Sequence, residues 1–357
     1  MAPHFSKIHY RFKINNNSFS YNELKDFAYS YVKEGVDYQK ELGDFLLDWL
    51  NKKDFILATT SGSTGIPKIV KLQKQAMVHS AIATGDFFNL KPGDTALHCL
   101  PSKYIAGKMM LVRALILGLE LDLVKPSLQP DFNFKKEYHF CAMIPLQLQN
   151  ILTNSSKIKT IIVGGSSVSK PLQEKISHLK VNVYETYGMT ETITHIAVKK
   201  LNNFNAAIGT NLYFKTLPNI NISQDTRGCL VIDAPNLLKE KITTNDVVKL
   251  QSKKSFLWLG RIDNVINSGG VKLFPEQIEA KLQHKISERF IIAKELDATY
   301  GERVILILEK LTNSINSSVF NVLEKIEIPK KIYAVEKFAE SKNGKILRQE
   351  ILKSLKE

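Results

Sequence analysis

The sequence predicts an α/β fold in two parts. A large N-terminal domain, 1–259, has a mostly parallel sheet covered by helices plus a small β subdomain, and a small mobile C-terminal α+β domain, 264–357, follows a hinge at 260–263. Three observations lead there. Between residues 95 and 184, apolar runs of strand length alternate with runs of helical periodicity, which demands crossover connections and therefore parallel strands with both faces covered. From 208 to 259 the helical periodicity stops, and short apolar runs separated by Gly, Asn and Asp replace it. After Arg261 a shorter alternation begins again.

Taken in order, Ile8, Tyr10, Phe12 and Ile14 alternate with polar residues and predict a strand that ends at the turn cluster Asn15, Asn16 and Asn17. Leu24, Phe27, Ala28 and Tyr31 recur at helical spacing, and a second apolar stripe over 42–50 predicts another helix. Short apolar runs at 55–58 and 69–72 read as strands on either side of a polar loop. A helix over 75–89 is closed by the turn Lys91-Pro92-Gly93-Asp94, and 95–100 is a strand. Helices are then expected at 106–117, 145–152 and 170–178, with strands at 119–124, 140–144, 160–163 and 181–184. The C-terminal part offers strands at 290–293, 304–308 and 332–335 and helices at 275–284 and 320–325.

A chain of 357 residues, 44% hydrophobic and 24% charged, can bury a sizeable core. Its formal charge of +14 is spread over doublets such as Lys52-Lys53 and Lys330-Lys331 rather than gathered into a basic arm, which argues for small anionic substrates and against nucleic acid. The three cysteines, Cys99, Cys141 and Cys229, lack metal-ligand spacing and fit a reducing, cytoplasmic setting. The most apolar segment, 109–124, is interrupted by Arg113, Glu120 and Asp122, so no membrane span is expected. A homo-oligomer is compatible with the chain.

The loop between the two short strands, residues 59–68, reads TTSGSTGIPK. Gly62 and Gly65 allow close backbone approach, the hydroxyls of Thr60, Ser61, Ser63 and Thr64 can donate to phosphate oxygens, and Lys68 adds a mobile positive charge. A flexible Ser/Gly turn is the plainer alternative. The Walker A pattern is not met, because no Gly-Lys-Ser/Thr follows the glycines. Four later stretches supply residue types that nucleotide and acyl chemistry needs. These are IIVGGSS at 161–167, YETYGMTET at 184–192, ITTNDVVKL at 242–250 and GRIDNVINSGG at 260–270. SKNGKILR at 341–348 adds Lys345 in a glycine-flanked loop. Singly, each also reads as a turn, a helix-start carboxylate or a solvated charge.

Together, and in this order, these stretches resemble the adenylate-forming superfamily of acyl-CoA synthetases, luciferases and peptide-synthetase adenylation domains, from about Phe55 onward. Within it, LPSKYIAGKMMLVRAL at 100–115 is similar to the corresponding part of the o-succinylbenzoyl-CoA synthetases of menaquinone biosynthesis, in their short bacterial forms. The resemblance implies an ATP-dependent ligase that uses Mg²⁺ and CoA. It implies that Ser61, Ser63, Thr64 and Lys68 hold the β- and γ-phosphates, that Thr190 touches the α-phosphate and that Glu191 ligates Mg²⁺. Gly164, Gly165 and Ser166 would wall the adenine with Tyr187 and Gly188, while Asp246 and Arg261 bind the ribose. Asp263 would be the hinge, Lys345 would meet the carboxylate and α-phosphate, and Gly269 and Gly270 would line a tunnel for CoA.

Tyr104, Gly107, Lys108 and Arg113 are candidates for the acyl pocket. Lys108 and Arg113 are five residues apart and need not share a helix face, and Arg113 reads equally as a helix residue paired with a surface acid. Asn245 replaces the family's glycine before the aspartate, and Tyr104 replaces its histidine. The region before the phosphate loop is shorter than in most relatives. A ligase for another aryl or short acyl acid, an enzyme that loads a carrier protein, and a non-catalytic nucleotide-binding protein are the competing expectations.

Overall fold

The computed structural model describes residues 2–59, 69–203, 213–310, 315–340 and 346–355. Near the N-terminus, β1 (Lys13–Ile14) and β2 (Asn17–Ser18) form a short hairpin. The strand expected over 8–14 therefore shrinks to its last two residues. The chain turns at His9, whose backbone carbonyl accepts from Phe12 N at 2.9 Å, while Tyr10 is left 86% exposed.

Helices α1 (Tyr21–Glu34) and α2 (Asp37–Leu50) follow. Ser20 and Glu23 close a reciprocal capping box on α1. The two helices pack where Gly43 lies so near Ala28 O that a Cβ would sit 2.5 Å from it. The orphan carbonyls at the end of α2 are met by Lys74, whose Nζ donates to Trp49 O at 2.8 Å and Asn51 O at 3.0 Å. The next strands, β3 (Phe55–Thr59) and β4 (Ile69–Gln73), make a separate antiparallel pair on either side of residues 60–68.

Helix α3 (Lys74–Phe88) leads to β5 (Thr95–His98), α4 (Ile105–Leu117), β6 (Glu120–Leu123), β7 (Tyr138–Met143), α5 (Pro145–Asn150), β8 (Ile158–Val163), α6 (Lys170–Ser177) and β9 (Asn182–Gly188). Strands β1, β6, β5, β7, β8 and β9 run parallel in that spatial order, as the alternation of apolar runs requires. Helix α4 is apolar on nearly every side and correspondingly buried, from Met109 to Ile116.

The remaining strands are β10 (His195–Lys200), β11 (Phe214–Thr216), β12 (Asn221–Gln224), β13 (Cys229–Asp233), β14 (Ile242–Ser252) and β15 (Ser255–Arg261). They are antiparallel, but they extend the same 13-stranded sheet instead of forming one of their own. The second sheet contains β16 (Ile266–Ser268), β17 (Val271–Leu273), β18 (Phe290–Asp297), β19 (Gly301–Glu309) and β20 (Lys331–Val335), with α7 (Pro275–Leu282) and α8 (Arg348–Ser354) against it. The helix expected at 320–325 is a 3-10 turn, Ser317–Val322. Helix α7 also reaches the large sheet, where Gln277 Nε2 donates to Leu259 O at 2.9 Å.

Candidate active site

The parallel strands deliver their C-terminal ends to one edge, the place where open α/β sheets bind ligands. At the end of β8, Gly164 has no room for a side chain, because a Cβ there would lie 2.4 Å from Thr186 Oγ1. That hydroxyl is fixed on the neighbouring strand by donating to Val163 O at 3.0 Å. Gly165 follows with φ +90°, a left-handed conformation that glycine tolerates.

Strand β9 ends at Tyr187 and Gly188, and Gly188 lies against the backbone of Thr194 and His195. Between them runs the 3-10 turn Thr190–Thr192, with Thr190 half-buried and Glu191 exposed. Thr192 Oγ1 accepts from Met189 N at 3.0 Å, which fixes the start of this turn. Ile193 is then held at φ 70° and ψ −56°, and Thr194 N donates to Thr192 O at 2.8 Å. This is a γ-turn of the rare positive-φ kind, costly for a β-branched residue. Such strain concentrates where a chain must present particular groups.

The ribose-binding pair expected from the sequence comes together. Asp246 on β14 stands opposite Arg261 on β15, with Arg261 Nη1 3.9 Å from Asp246 Oδ1. Asp246 also accepts from Tyr187 Oη at 2.6 Å and from Trp258 Nε1 at 3.2 Å. Burial, reinforced by the Asp246 charge, pushes the Tyr187 hydroxyl far up, so it stays protonated as the donor. Its ring meets Phe256 edge-on at 5.1 Å. Arg261 turns a second nitrogen to Asp263 at 3.2 Å, and Asn245 Nδ2 reaches the same Asp263 oxygen at 3.4 Å. Asn245, the departure from the family's glycine, thus links Asp263 to Arg227 Nη1, which donates to Asn245 Oδ1 at 3.3 Å.

The acyl-pocket candidates do not share a face. Tyr104 stands 47% exposed just before α4, and Lys108 lies over the Phe45 ring of α2 at 4.9 Å. Gly107 lets the start of α4 close on Pro101 O, which a Cβ would approach to 2.2 Å. Arg113 points the other way and is buried, 1% exposed. Its Nε donates to Thr84 Oγ1, and its Nη2 donates to Thr194 Oγ1 and faces His195 Nδ1, each at 3.4 Å. The surface-acid pairing considered for Arg113 is therefore overturned: among the described residues no carboxylate meets it. Burial lowers its pKa to about 9, which leaves it charged at neutral pH.

Gly269 and Gly270, both at positive φ, form the two-residue turn between β16 and β17. Thr60, Ser61, Gly62, Ser63, Thr64, Gly65, Lys68 and Lys345 lie outside the described residues. Glu340 and Ile346, on either side of 341–345, pair as an antiparallel bridge. The sequence reading missed Trp258, Thr194 and His195. An indole on a half-buried strand needs a partner for its N–H, which was the available signal for Trp258. Nothing local marks the other two.

Among the described residues no helix is long and apolar enough to cross a membrane, and no group of three or more His, Cys, Asp or Glu side chains could hold a metal. The chain matches the model of the AMP-binding enzyme family over residues 29–223. It is 25% identical over 335 residues to a protein of Bacillus cytotoxicus named 2-succinylbenzoate–CoA ligase, an alignment covering 84% of this chain and 69% of that one. A ligase of the same name from Bacillus cereus is 25% identical over 374 residues, covering 94% and 77%. Among solved structures, an AMP-forming acyl-CoA synthetase-like protein of Dyadobacter fermentans is 34% identical with a TM-score of 0.62, covering 93% of this chain and 98% of that one. The o-succinylbenzoate coenzyme A synthetase of Bacillus subtilis, solved with ATP and magnesium, shares the fold with a TM-score of 0.68 at 22% identity, covering 83% and 69%. On the match to its family model and on the likeness to the Dyadobacter protein, this chain belongs to the AMP-binding enzyme family.

Proposed function

We propose that this protein is an ATP-dependent acid–CoA ligase acting on 2-succinylbenzoate through an acyl-adenylate, a reaction of menaquinone biosynthesis. The observation that carries the choice of acid is Arg113. A buried guanidinium without a carboxylate is costly in a fold, and a substrate carboxylate of matching geometry supplies the missing partner. One carboxylate of the acid would react, and Arg113 would hold the other. The 2-succinylbenzoate–CoA ligases of Bacillus, matched over most of this chain, support the same reading.

Roles for the remaining residues follow the chemistry of the groups. Asp246 and Arg261 would receive the ribose hydroxyls, and Gly164, Gly165, Ser166, Gly188 and Tyr187 would bound the adenine. Glu191 is exposed and free of ion pairs among the described residues, a hard oxygen ligand suited to Mg²⁺ shared with phosphates. The ion would offset phosphate charge. Thr190 would donate to the α-phosphate, and the hydroxyls and Lys68 of the phosphate loop would hold the β- and γ-phosphates. Lys345 would neutralise the attacking carboxylate and the α-phosphate. The carboxylate oxygen attacks the α-phosphorus, the bond to the bridging oxygen breaks and pyrophosphate leaves. The CoA thiolate then attacks the acyl carbon, AMP leaves and a thioester remains. A small domain, 264–357, turning about 260–263 at Asp263 would withdraw Lys345 and bring Gly269 and Gly270 to the pantetheine arm.

The three thiols, all buried and free, are in keeping with a reducing cytoplasm. ATP–pyrophosphate exchange across a panel of carboxylates, followed by addition of CoA or a carrier protein, tests the proposal. Exchange with 2-succinylbenzoate and thioester formation with CoA are expected. Exchange only with another acid, or transfer only to a carrier, replaces the substrate assignment.

A further inference from the structure

His195 opens β10 and is 5% exposed, with its ring against Arg113. A guanidinium only donates, so the imidazole nitrogen facing it, Nδ1, is the acceptor. The neutral ring then carries its proton on Nε2, which is buried and has no partner among the described residues. Ser80 Oγ, one turn before Thr84 on α3, is likewise buried and unmatched. Among the described residues, the cluster in which Arg113 meets Thr84, Thr194 and His195 thus holds several donors and no anion. Unmatched donors in a closed, low-dielectric space cost free energy until an acceptor arrives.

We propose that His195 is a specificity-determining residue that receives, together with Arg113, the second carboxylate of a dicarboxylic acid substrate and takes up a proton as it does so. The inference rests on the Arg113 reading above and adds a residue and a linked proton to it. In the free protein, burial and then the Arg113 charge hold the His195 pKa well below its ordinary 6.5. Arg113 from α4 is the charged group its ring meets, whereas Thr84 from α3 and Thr194, which share that guanidinium, and Gly188 from β9, which lies against its backbone, carry no charge. A carboxylate on Arg113 cancels that repulsion and frees Nδ1, which accepts a proton from solvent. The imidazolium then faces the carboxylate beside Arg113. Because binding takes up a proton, affinity for the dicarboxylate rises as pH falls through the window between the free and bound pKa values, by up to about tenfold per pH unit.

The test measures the acid KM in ATP–pyrophosphate exchange from pH 6 to 8, with 2-succinylbenzoate and with benzoate, in wild type, His195→Gln and His195→Leu. Wild type should bind the dicarboxylate about three- to tenfold better at pH 6 than at pH 8, with benzoate flat. His195→Gln keeps a neutral donor and should match wild type at pH 8 within a few-fold while losing the pH dependence. His195→Leu should lose about tenfold or more for the dicarboxylate and little for benzoate. A flat wild-type profile, or an unchanged profile in His195→Gln, overturns the role of His195 while leaving the ligase reading in place. Exchange with benzoate alone overturns both.

Discussion

Replacing Arg113 with methionine should raise stability while removing most activity on a dicarboxylate. Burial lowers the guanidinium pKa from 12.5 to about 9, a cost to the fold of roughly 5 kcal/mol at about 1.4 kcal/mol per tenfold change in a proton equilibrium. Three polar contacts, each 3.4 Å long, return at most about 1 kcal/mol apiece. A side chain of similar volume without the charge should therefore gain about 2 kcal/mol, a rise of roughly 2–3 °C in Tm for a chain of this size. On the substrate side, losing one partner of a buried charge pair costs about 2–5 kcal/mol, or roughly 30- to several thousand-fold in kcat/KM for 2-succinylbenzoate. Benzoate should be spared. Calorimetry and pyrophosphate exchange read the two effects independently. A lower Tm with equal losses on both acids would show that Arg113 serves the fold, and the reasoning would fail.

Asp246→Asn should raise the ATP KM by about tenfold or more. Tyr187 and Trp258 both donate to that carboxylate, and an amide turns an N–H toward one of them at a cost of about 1–3 kcal/mol. An unchanged KM would remove Asp246 from nucleotide binding. Gly164→Ala should weaken ATP binding through its clash with Thr186 Oγ1, and adding Thr186→Ala should restore it, since the nearest remaining atom, Thr186 Cβ, is 3.8 Å away. No rescue in the double variant would place the defect elsewhere. Lys74 gives a pH signature in denaturant titrations. Burial lowers its pKa to about 8 from the ordinary 10.5, so between those values the unfolded chain holds a proton that the folded one has released. Stability of the wild type relative to Lys74→Met should rise across that window, and a fall would contradict the assignment.

The parts of the site that could be read from the sequence are those set by local pattern. Asp246 and Arg261 stand in two short motifs whose resemblance to the family implied that both meet the ribose, and the structure sets them opposite each other on consecutive strands. Gly164 and Gly165 follow a β-branched run and required a tight strand exit. What escaped depends on distant packing. Whether Arg113 met a surface acid or a buried cluster of hydroxyls and an imidazole turned on how α4 seats against α3 and β10, and Lys108 turned toward α2 for the same reason. His195 became visible only through the bulged register of β10 on β9, which sets its ring against Arg113. Strand length near the N-terminus was overestimated because alternation cannot register the turn that His9 makes. Edge pairing is likewise nonlocal, so the continuation of one sheet through β15 was not legible.

The central claim is that ATP is cleaved to AMP and pyrophosphate as one carboxylate of 2-succinylbenzoate passes to CoA. Mass spectrometry of a reaction containing the purified protein, ATP, Mg²⁺, CoA and the acid measures this directly. The account predicts 2-succinylbenzoyl-CoA with equimolar AMP and pyrophosphate. Release of ADP and phosphate, or no thioester from this acid while pyrophosphate exchange proceeds with others, would contradict it.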